Sequence, residues 1–144
     1  MDDSPQRPTT RSLHHLAVTV DDVEASASWY ERVLGLQRLP APFPHHGSVS
    51  PGYGVLLVDA AGWAIGLHHH DGHSADVADE TRTGMDHVGV AVPERADLDR
   101  WAAWLDGLGV EHGGVTDVAE PVPYSALVFR DPDNIQLEFV HLPG

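Results

Sequence analysis

The sequence contains no cysteine, so disulfide bonds, thiolate nucleophiles and cysteine-ligated zinc or iron–sulfur sites are excluded. Lysine and arginine together number only 8 against 22 acidic residues, which gives a formal net charge of −14. Because such a chain repels a phosphate backbone and an anionic membrane surface, we expect no nucleic-acid or membrane partner. No apolar run approaches the roughly 18 residues of a transmembrane helix. Residues 1–11 are polar and lack the apolar stretch of a signal peptide, which predicts a cytoplasmic protein.

Histidine, in contrast, is abundant, with 11 residues in a chain of 144. The length suits one ordinary domain and is too short for two independent ones. An apolar fraction of 42% is ordinary for a globular protein with a packed core. Because histidine is the commonest metal ligand and a frequent acid–base group, the positions of these residues bear directly on function.

The chain consists of two similar halves. Each begins with an apolar, β-branched run, as a buried strand requires, with a histidine at its third position, His15 in the first half and His87 in the second. Each continues into an acidic segment with helical periodicity that ends at a glycine, Gly35 or Gly109. The histidines are 72 residues apart (87 − 15) and the glycines 74 apart (109 − 35). Two independent landmarks give nearly one period, which indicates a duplication.

Each half is predicted to fold as β-α-β-β-β. Asp21 or Asp22 is expected to cap the first helix, whereas the second is expected to open at Pro93 and to close at Gly107 and Gly109. The strand-like runs are approximately residues 13–20, 36–39, 53–59 and 62–69 in the first half, and 85–92, 110–112, 124–130 and 134–141 in the second. Residues 40–52, rich in proline, histidine and serine, are predicted to form a long loop.

These elements predict an α+β fold in one domain of residues 1–144. It consists of two tandem βαβββ modules, about residues 13–69 and 85–141, joined by a linker of about residues 70–84. One helix covers only one face of a four-stranded sheet, so two such modules should pair. We expect their curled mixed sheets to enclose a cleft.

The most distinctive segment is the Asp-Pro-Asp-Asn sequence at residues 131–134 and the strand that follows it. The four residues are typical of a turn and should join two apolar strands as a hairpin. On the second strand Gln136, Glu138 and Val140 share one face. Glu138 thus lies between apolar neighbours, where a carboxylate needs a cation, a hydrogen-bond donor or a raised pKa.

Three motifs together resemble the vicinal-oxygen-chelate superfamily of glyoxalases, extradiol dioxygenases, fosfomycin-resistance transferases, methylmalonyl-CoA epimerase and bleomycin-resistance proteins. They are His-x-Ala-Val-Thr-Val beginning at His15, Trp-Tyr-x-x-Val-Leu-Gly-Leu at the end of the first helix, and Asp-Pro-Asp-Asn-Ile-Gln-Leu-Glu ending at Glu138. The resemblance covers about residues 13–141. It implies the paired-module fold with a metal-binding cleft between the sheets.

The resemblance also implies a ligand set, because metal-dependent members take ligands from the first and last strands of each module. His15, His87 and Glu138 occupy three of these four positions. Two imidazoles and a carboxylate leave sites open for substrate or water and suit Fe(II), Mn(II), Ni(II), Co(II) or Zn(II). The fourth position holds Gly66, where glyoxalase I carries a glutamate. His68 lies two residues further along the same face, as a fourth ligand, an acid–base residue or a substrate contact.

The resemblance implies a metal-dependent enzyme that acts on a small substrate chelating the metal through adjacent oxygens. It also implies a homodimer. A lyase, an isomerase and a ring-cleaving dioxygenase all fit; the few cationic residues disfavour fosfomycin-type transfer. Tyr124 joins His68 as a candidate catalytic residue, because it begins a cleft strand and carries an acidic hydroxyl. The alternative is a drug-binding protein of the bleomycin-resistance kind, which needs no catalytic metal and whose cationic ligand would suit the acidic surface.

The other histidines near these strands are assigned no chemistry. His14 should be solvated or face the helix, because it lies on the opposite side of the strand from His15. His69, His70 and His73 are predicted to form a solvated tract that leads into the linker.

Overall fold

The computed structural model describes residues 6–45 and 51–144. The elements of the first module are β1 (Leu16–Thr19), α1 (Val23–Leu34), β2 (Gln37–Arg38), β3 (Phe43–Pro44), β4 (Gly52–Val58) and β5 (Ala64–His70). Those of the second are β6 (His87–Ala91), α2 (Arg95–Leu108), β7 (His112–Val118), β8 (Tyr124–Arg130) and β9 (Gln136–His141). The predicted signal-free segment at residues 1–11 and the predicted loop at 40–52 extend partly beyond the described residues.

Four strands of each sheet follow the same order. In the first, the strand order is β1-β5-β4-β2, and in the second it is β6-β9-β8-β7. The first strand of each module lies parallel to the last, β1 beside β5 and β6 beside β9, and the remaining pairs are antiparallel. The predicted α+β fold of two repeated modules is confirmed.

The first sheet has a fifth strand that the sequence interpretation assigned to a loop. Residues 43–44 (β3) pair with Tyr53 and Gly54 of β4, on the same edge that β2 occupies further along. The two short strands are separated by Pro40 and Pro42, which lack the N–H groups that a continuous ladder would need. Residues 37–44 therefore form an interrupted edge strand along β4, and His45 directly follows it.

The ends of α1 follow the predicted chemistry, whereas α2 requires two corrections. The Asp22 carboxylate accepts a hydrogen bond from the backbone N–H of Ala25 at 3.0 Å and caps α1, as expected. The second helix does not open at Pro93: Glu94 is its N-cap, in a reciprocal capping box with Asp97. Gly107 lies inside α2 and only Gly109, at φ 69°, ends it.

One hydrophobic core unites both helices with one face of each sheet. Its largest fully buried side chains are Val20, Tyr30, Val33, Val55, Leu57, Ile65, Leu67, Leu98, Leu105 and Leu127. The Trp104 indole N–H on α2 also donates to the Val33 carbonyl on α1 at 2.9 Å. Neither α1 nor α2 is long and apolar enough to cross a membrane.

A buried polar network docks α1 of the first module on the β8–β9 turn of the second. The Tyr30 hydroxyl donates to Asp131 at 2.9 Å, while the Asp133 carboxylate accepts from the Ser26 hydroxyl at 3.2 Å and from the Asp21 backbone N–H at 2.9 Å. Burial raises the pKa of both Tyr30 and Asp131. The two modules therefore pack against each other within one chain, a point that the sequence left open.

Candidate functional site

Strand alternation gives each sheet a second face, turned away from the core, and the candidate residues lie on these faces. In the second sheet this face carries His87 and Gly89 of β6 and Glu138 of β9, with Gly89 and Glu138 paired in register. Tyr124 and Val128 of β8 share it, with Val128 paired to Glu138. His87 and Gly89 are exposed, so the face is open to solvent.

His87 and Glu138 are brought together as predicted. Nε2 of His87 lies 3.4 Å from Oε1 of Glu138. A Cβ added to Gly89 would lie 3.1 Å from the same Oε1, so the absence of a side chain at residue 89 lets the carboxylate lie across β6 beside the imidazole. The Glu138 side chain is only 20% exposed. A half-buried carboxylate facing an imidazole is a suitable pair of ligands for a divalent transition metal.

Asp86 orients His87. Its carboxylate lies 2.6 Å from Nδ1 of His87, and this hydrogen bond is the largest reason why the pKa of His87 is raised, followed by the charges of Glu138 and of Asp86 itself. With the Nδ1 proton held by Asp86, Nε2 is the nitrogen that faces Glu138. A carboxylate that fixes the tautomer of a ligating histidine in this way is common around protein-bound metals.

His15 lies near this pair but is not in contact with it. It precedes β1 and lines, together with His87, a pocket of about 380 Å³ between the first strands of the two modules. In this conformation its Nδ1 bonds Nδ1 of the neighbouring His14 at 2.8 Å. Among the described residues, the ligand atoms of His15, His87 and Glu138 do not all come within 4.8 Å of one another.

His68 lies on the outward face of the first sheet, and two glycines make room for its ring. A Cβ on Gly54 would be 2.7 Å from Cε1 of His68, and a Cβ on Gly66 would be 3.2 Å from its Nε2. The ring therefore lies flat over β4 and β5, with Nε2 beside the position where residue 66 has no side chain. Burial lowers the pKa of His68, and the nearby His45, His70 and His15 lower it further.

His68 is part of a three-histidine cluster that the sequence interpretation missed. Nδ1 of His68 lies 2.9 Å from Nε2 of His45, and the two rings are stacked with centroids 5.1 Å apart. His70 packs its ring 4.6 Å from that of His45. One ring nitrogen from each of the three lies within 4.8 Å of the other two.

This placement differs from the predicted solvated tract. His70 is half-buried against His45, and the His73 side chain is only 19% exposed, beside Asp21. Strand parity already placed His70 on the same face as His68, but His45 was assigned to a loop, so the third member was absent. His14 is exposed, as expected.

Tyr124 lies at the other end of a groove from Glu138. The groove, about 340 Å³ in volume, runs along β7 and β8 and is lined by Gly113, Gly114, Thr116, Val118, Tyr124, Ala126, Val128 and Glu138. Tyr124 and Val128 are four residues apart, about 13 Å at roughly 3.3 Å per residue of strand. Tyr124 therefore lines the groove but lies too far from the His87–Glu138 pair to contact it.

A family model and a solved structure point to the same superfamily. The model of the Glyoxalase/Bleomycin resistance protein/Dioxygenase superfamily matches residues 12–139. A solved glyoxylase/bleomycin resistance protein/dioxygenase domain from Frankia sp. EAN1pec is 30% identical and superposes with a TM-score of 0.79, covering 94% of this chain and 100% of that one. The search of curated proteins gave no match.

Two more distant structures share the fold. Lactoylglutathione lyase from Agrobacterium tumefaciens has 17% identity and a TM-score of 0.65, over 92% of this chain and 95% of that one. A mutant fosfomycin resistance protein from Listeria monocytogenes, complexed with Mn(II) and 1S,2S-dihydroxypropylphosphonic acid, also has 17% identity and a TM-score of 0.65, over 94% and 95% of the two chains.

Proposed function

This chain belongs to the Glyoxalase/Bleomycin resistance protein/Dioxygenase superfamily, and on that premise we propose that it is a divalent-metal-dependent enzyme acting on a small molecule with adjacent oxygen atoms. The observation that carries the proposal is the His87–Glu138 pair, 3.4 Å apart, in a cradle that Gly89 leaves open. Asp86 presents Nε2 of His87 to this cradle.

His15, His87 and Glu138 would hold the ion. The donor set is compatible with Fe(II), Mn(II), Ni(II), Co(II) or Zn(II). His15 would have to exchange its hydrogen bond with His14 for coordination, and its position in the same pocket as His87 supports that change. When bound, a divalent ion supplies Lewis-acid polarisation of two substrate oxygens and stabilises negative charge that develops on them.

His68 would move the proton. Because burial lowers its pKa, the imidazole is neutral near pH 7 and able to accept a proton from the substrate. Its Nε2 lies beside Gly66, the position where glyoxalase I carries a glutamate, so the imidazole partly replaces the missing side chain. His45, bonded to Nδ1 of His68, would fix which nitrogen faces the cleft. The alternative role for His68 is that of a fourth ligand.

The substrate would lie between the pocket at His15 and His87 and the groove that leads from Glu138 to Tyr124. Small residues line this groove, so it suits a substrate with an extended, uncharged part. Tyr124 would contact that part through its hydroxyl. We propose lyase or isomerase chemistry first, since a lactoylglutathione lyase shares the fold, with ring-cleaving dioxygenation as the second reaction.

The family resemblance further supports a homodimer, which light scattering coupled to size-exclusion chromatography would detect. The predicted cytoplasmic location and the predicted lack of nucleic-acid partners stay predictions.

A drug-binding protein of the bleomycin-resistance kind remains the alternative function, favoured by the net charge of −14. Calorimetry with a cationic bleomycin-type compound on metal-free protein tests the binding function. Tight binding, with no turnover of any substrate, would favour the drug-binding protein over the enzyme.

The enzyme proposal is tested with protein purified without a histidine tag. Metal content, hemithioacetal conversion and oxygen uptake with catechols are measured for the wild type, Glu138→Gln and His87→Ala, with Glu111→Gln as the matched control at an exposed glutamate. We expect both site variants to weaken metal binding by more than about 100-fold and to lose activity, since they remove direct ligands. Activity unchanged in Glu138→Gln would refute the assignment.

A further inference from the structure

We propose that His45, His68 and His70 form a second metal site, which binds Zn(II) through three imidazoles within the first module. The site goes beyond the proposed function, because it requires neither His87 nor Glu138. It shares His68 with that proposal, and while zinc is bound His68 would serve as a ligand rather than as the residue that moves the proton. These three residues, His45, His68 and His70, are the histidine triad.

The fold brings the triad together from neighbouring strands. His68 and His70 are two residues apart on β5 and so share a face. His45 directly follows β3, and its backbone N–H donates to the carbonyl of Gly52, the residue that pairs with His70 in the β4–β5 ladder. Strand pairing therefore sets the positions of all three backbones.

The ring geometry is close to what zinc requires. Each of the three rings presents a nitrogen within 4.8 Å of the other two. Ligand nitrogens about 2.0–2.1 Å from a tetrahedral zinc ion are about 3.4 Å from one another. The nitrogens of His45 and His68 are already 2.9 Å apart, so movement of the ring of His70 and a small separation of the other two would complete the site.

The sequence leaves space for this arrangement. Gly54 lies directly beneath the His68 ring, and any larger residue there would displace it, since the added Cβ would lie 2.7 Å from Cε1. Burial lowers the pKa of His68, and the neighbouring His45 and His70 lower it further, which favours its neutral form. Neutral imidazoles are the form that binds metal.

The donor set indicates the class of ion and its coordination. Three imidazoles without a carboxylate favour Zn(II), Ni(II), Cu(II) or Co(II) over the harder Mg(II), Ca(II) and Mn(II). Three protein ligands also leave a fourth zinc position open for water or another ligand. All three side chains are half-buried. His68 and His70 lie on the face of the first sheet that is turned away from the core, so that position would lie on the same side.

Zn(II) titration of metal-free, tag-free protein tests the proposal, with affinity measured by competition against a chromogenic chelator. The background is the His87→Ala, Glu138→Gln double variant, in which the site of the proposed function is disabled. We expect one Zn(II) per chain to bind in this background. Adding His45→Ala or His70→Ala should weaken its binding by more than about 100-fold.

His69→Ala is the matched control, because His69 lies between His68 and His70 on β5 but points to the opposite face, where it contacts Asp71 and Tyr53. It should leave the Zn(II) affinity unchanged. Absence of Zn(II) binding in the double-variant background, or equal weakening by His69→Ala, would overturn the triad. Co(II) substitution gives a readout independent of affinity, since loss of a nitrogen ligand changes its visible spectrum.

The two proposals fail separately. If the enzyme proposal is wrong, the double variant still binds Zn(II) at the triad. If the triad is wrong, the double variant binds none, while the wild type retains a metal that depends on Glu138. Circular dichroism and urea unfolding of each variant establish that it is folded before its affinity is interpreted.

Discussion

Replacing Gly54 with alanine should displace the His68 ring while leaving the fold intact. A Cβ at residue 54 would lie 2.7 Å from Cε1, 2.8 Å from Nε2 and 3.0 Å from Nδ1 of His68. Since ordinary van der Waals contact begins at 3.4 Å, the nearest ring atom must move by about 0.7 Å (3.4 − 2.7). That displacement is enough to break the 2.9 Å hydrogen bond to His45 or to force it into a new geometry.

The cost to stability should be small, because the obstructing atoms belong to one side chain that can rotate. Moving the ring off its preferred rotamer costs about 0.5–1.5 kcal/mol. Alanine in a strand interior is more favourable than glycine by roughly 0.5–1 kcal/mol, which offsets most of that cost. We therefore expect the free energy of unfolding to change by less than about 1 kcal/mol.

The assay combines urea unfolding, proton–nitrogen correlation spectra of the imidazole nitrogens, and Zn(II) titration. Gly52→Ala is the control, because its Cβ would lie 2.0 Å from the carbonyl oxygen of His69, a backbone atom that cannot rotate away. It should lower the free energy of unfolding by about 1–3 kcal/mol. Unchanged ring-nitrogen signals of His68 and unchanged Zn(II) affinity in Gly54→Ala would refute the position of His68 over β4.

Two further substitutions test the packing between modules and the surface charges. Tyr30→Phe removes the buried 2.9 Å hydrogen bond to Asp131 and should lower the free energy of unfolding by about 1.5–3 kcal/mol; an equal loss in Tyr124→Phe, whose side chain is exposed, would contradict this. The Arg130 guanidinium lowers the pKa of Glu80 from 4.5 to about 2. Glu80 therefore contributes stability that is present above pH 4.5 and lost as the pH falls through about 2. Urea midpoints of the wild type and Glu80→Gln should converge over that range, and a constant gap would exclude the ion pair as the cause.

The repeat and its element order were predictable because they depend on local patterns. His15 directly precedes the first strand of its module and His87 begins that of the other, while Gly35 and Gly109 end the helices at φ 71° and 69°. The pairing of His87 with Glu138 followed from family position, and strand parity gave the face of Glu138. These properties depend on a residue and its neighbours within a few positions along the chain.

What the sequence did not reveal depends on contacts between distant segments. The edge pairing that brings His45 to His68 joins a proline-interrupted segment to a strand, and short proline-rich stretches carry no periodicity. The sequence also could not predict that the space over Gly54 is needed, because the His68 ring that fills it comes from another strand. The sequence placed the start of α2 at Pro93, whereas the helix begins after Glu94, because the Glu94–Asp97 capping box bonds the free backbone N–H groups of the helix end.

The aspartates of the β8–β9 turn have a consequence for the history of the duplication. They receive the hydroxyls of Tyr30 and Ser26 from the other half, whereas in the corresponding turn of the first half Asp59 bonds its own neighbour, accepting from the Ala61 N–H at 2.7 Å. The copies are therefore no longer interchangeable. A gene carrying the first half twice would bury these hydroxyls without acceptors, and one carrying the second half twice would bury the carboxylates without those donors. The two halves therefore depend on each other through side chains that neither half repeats.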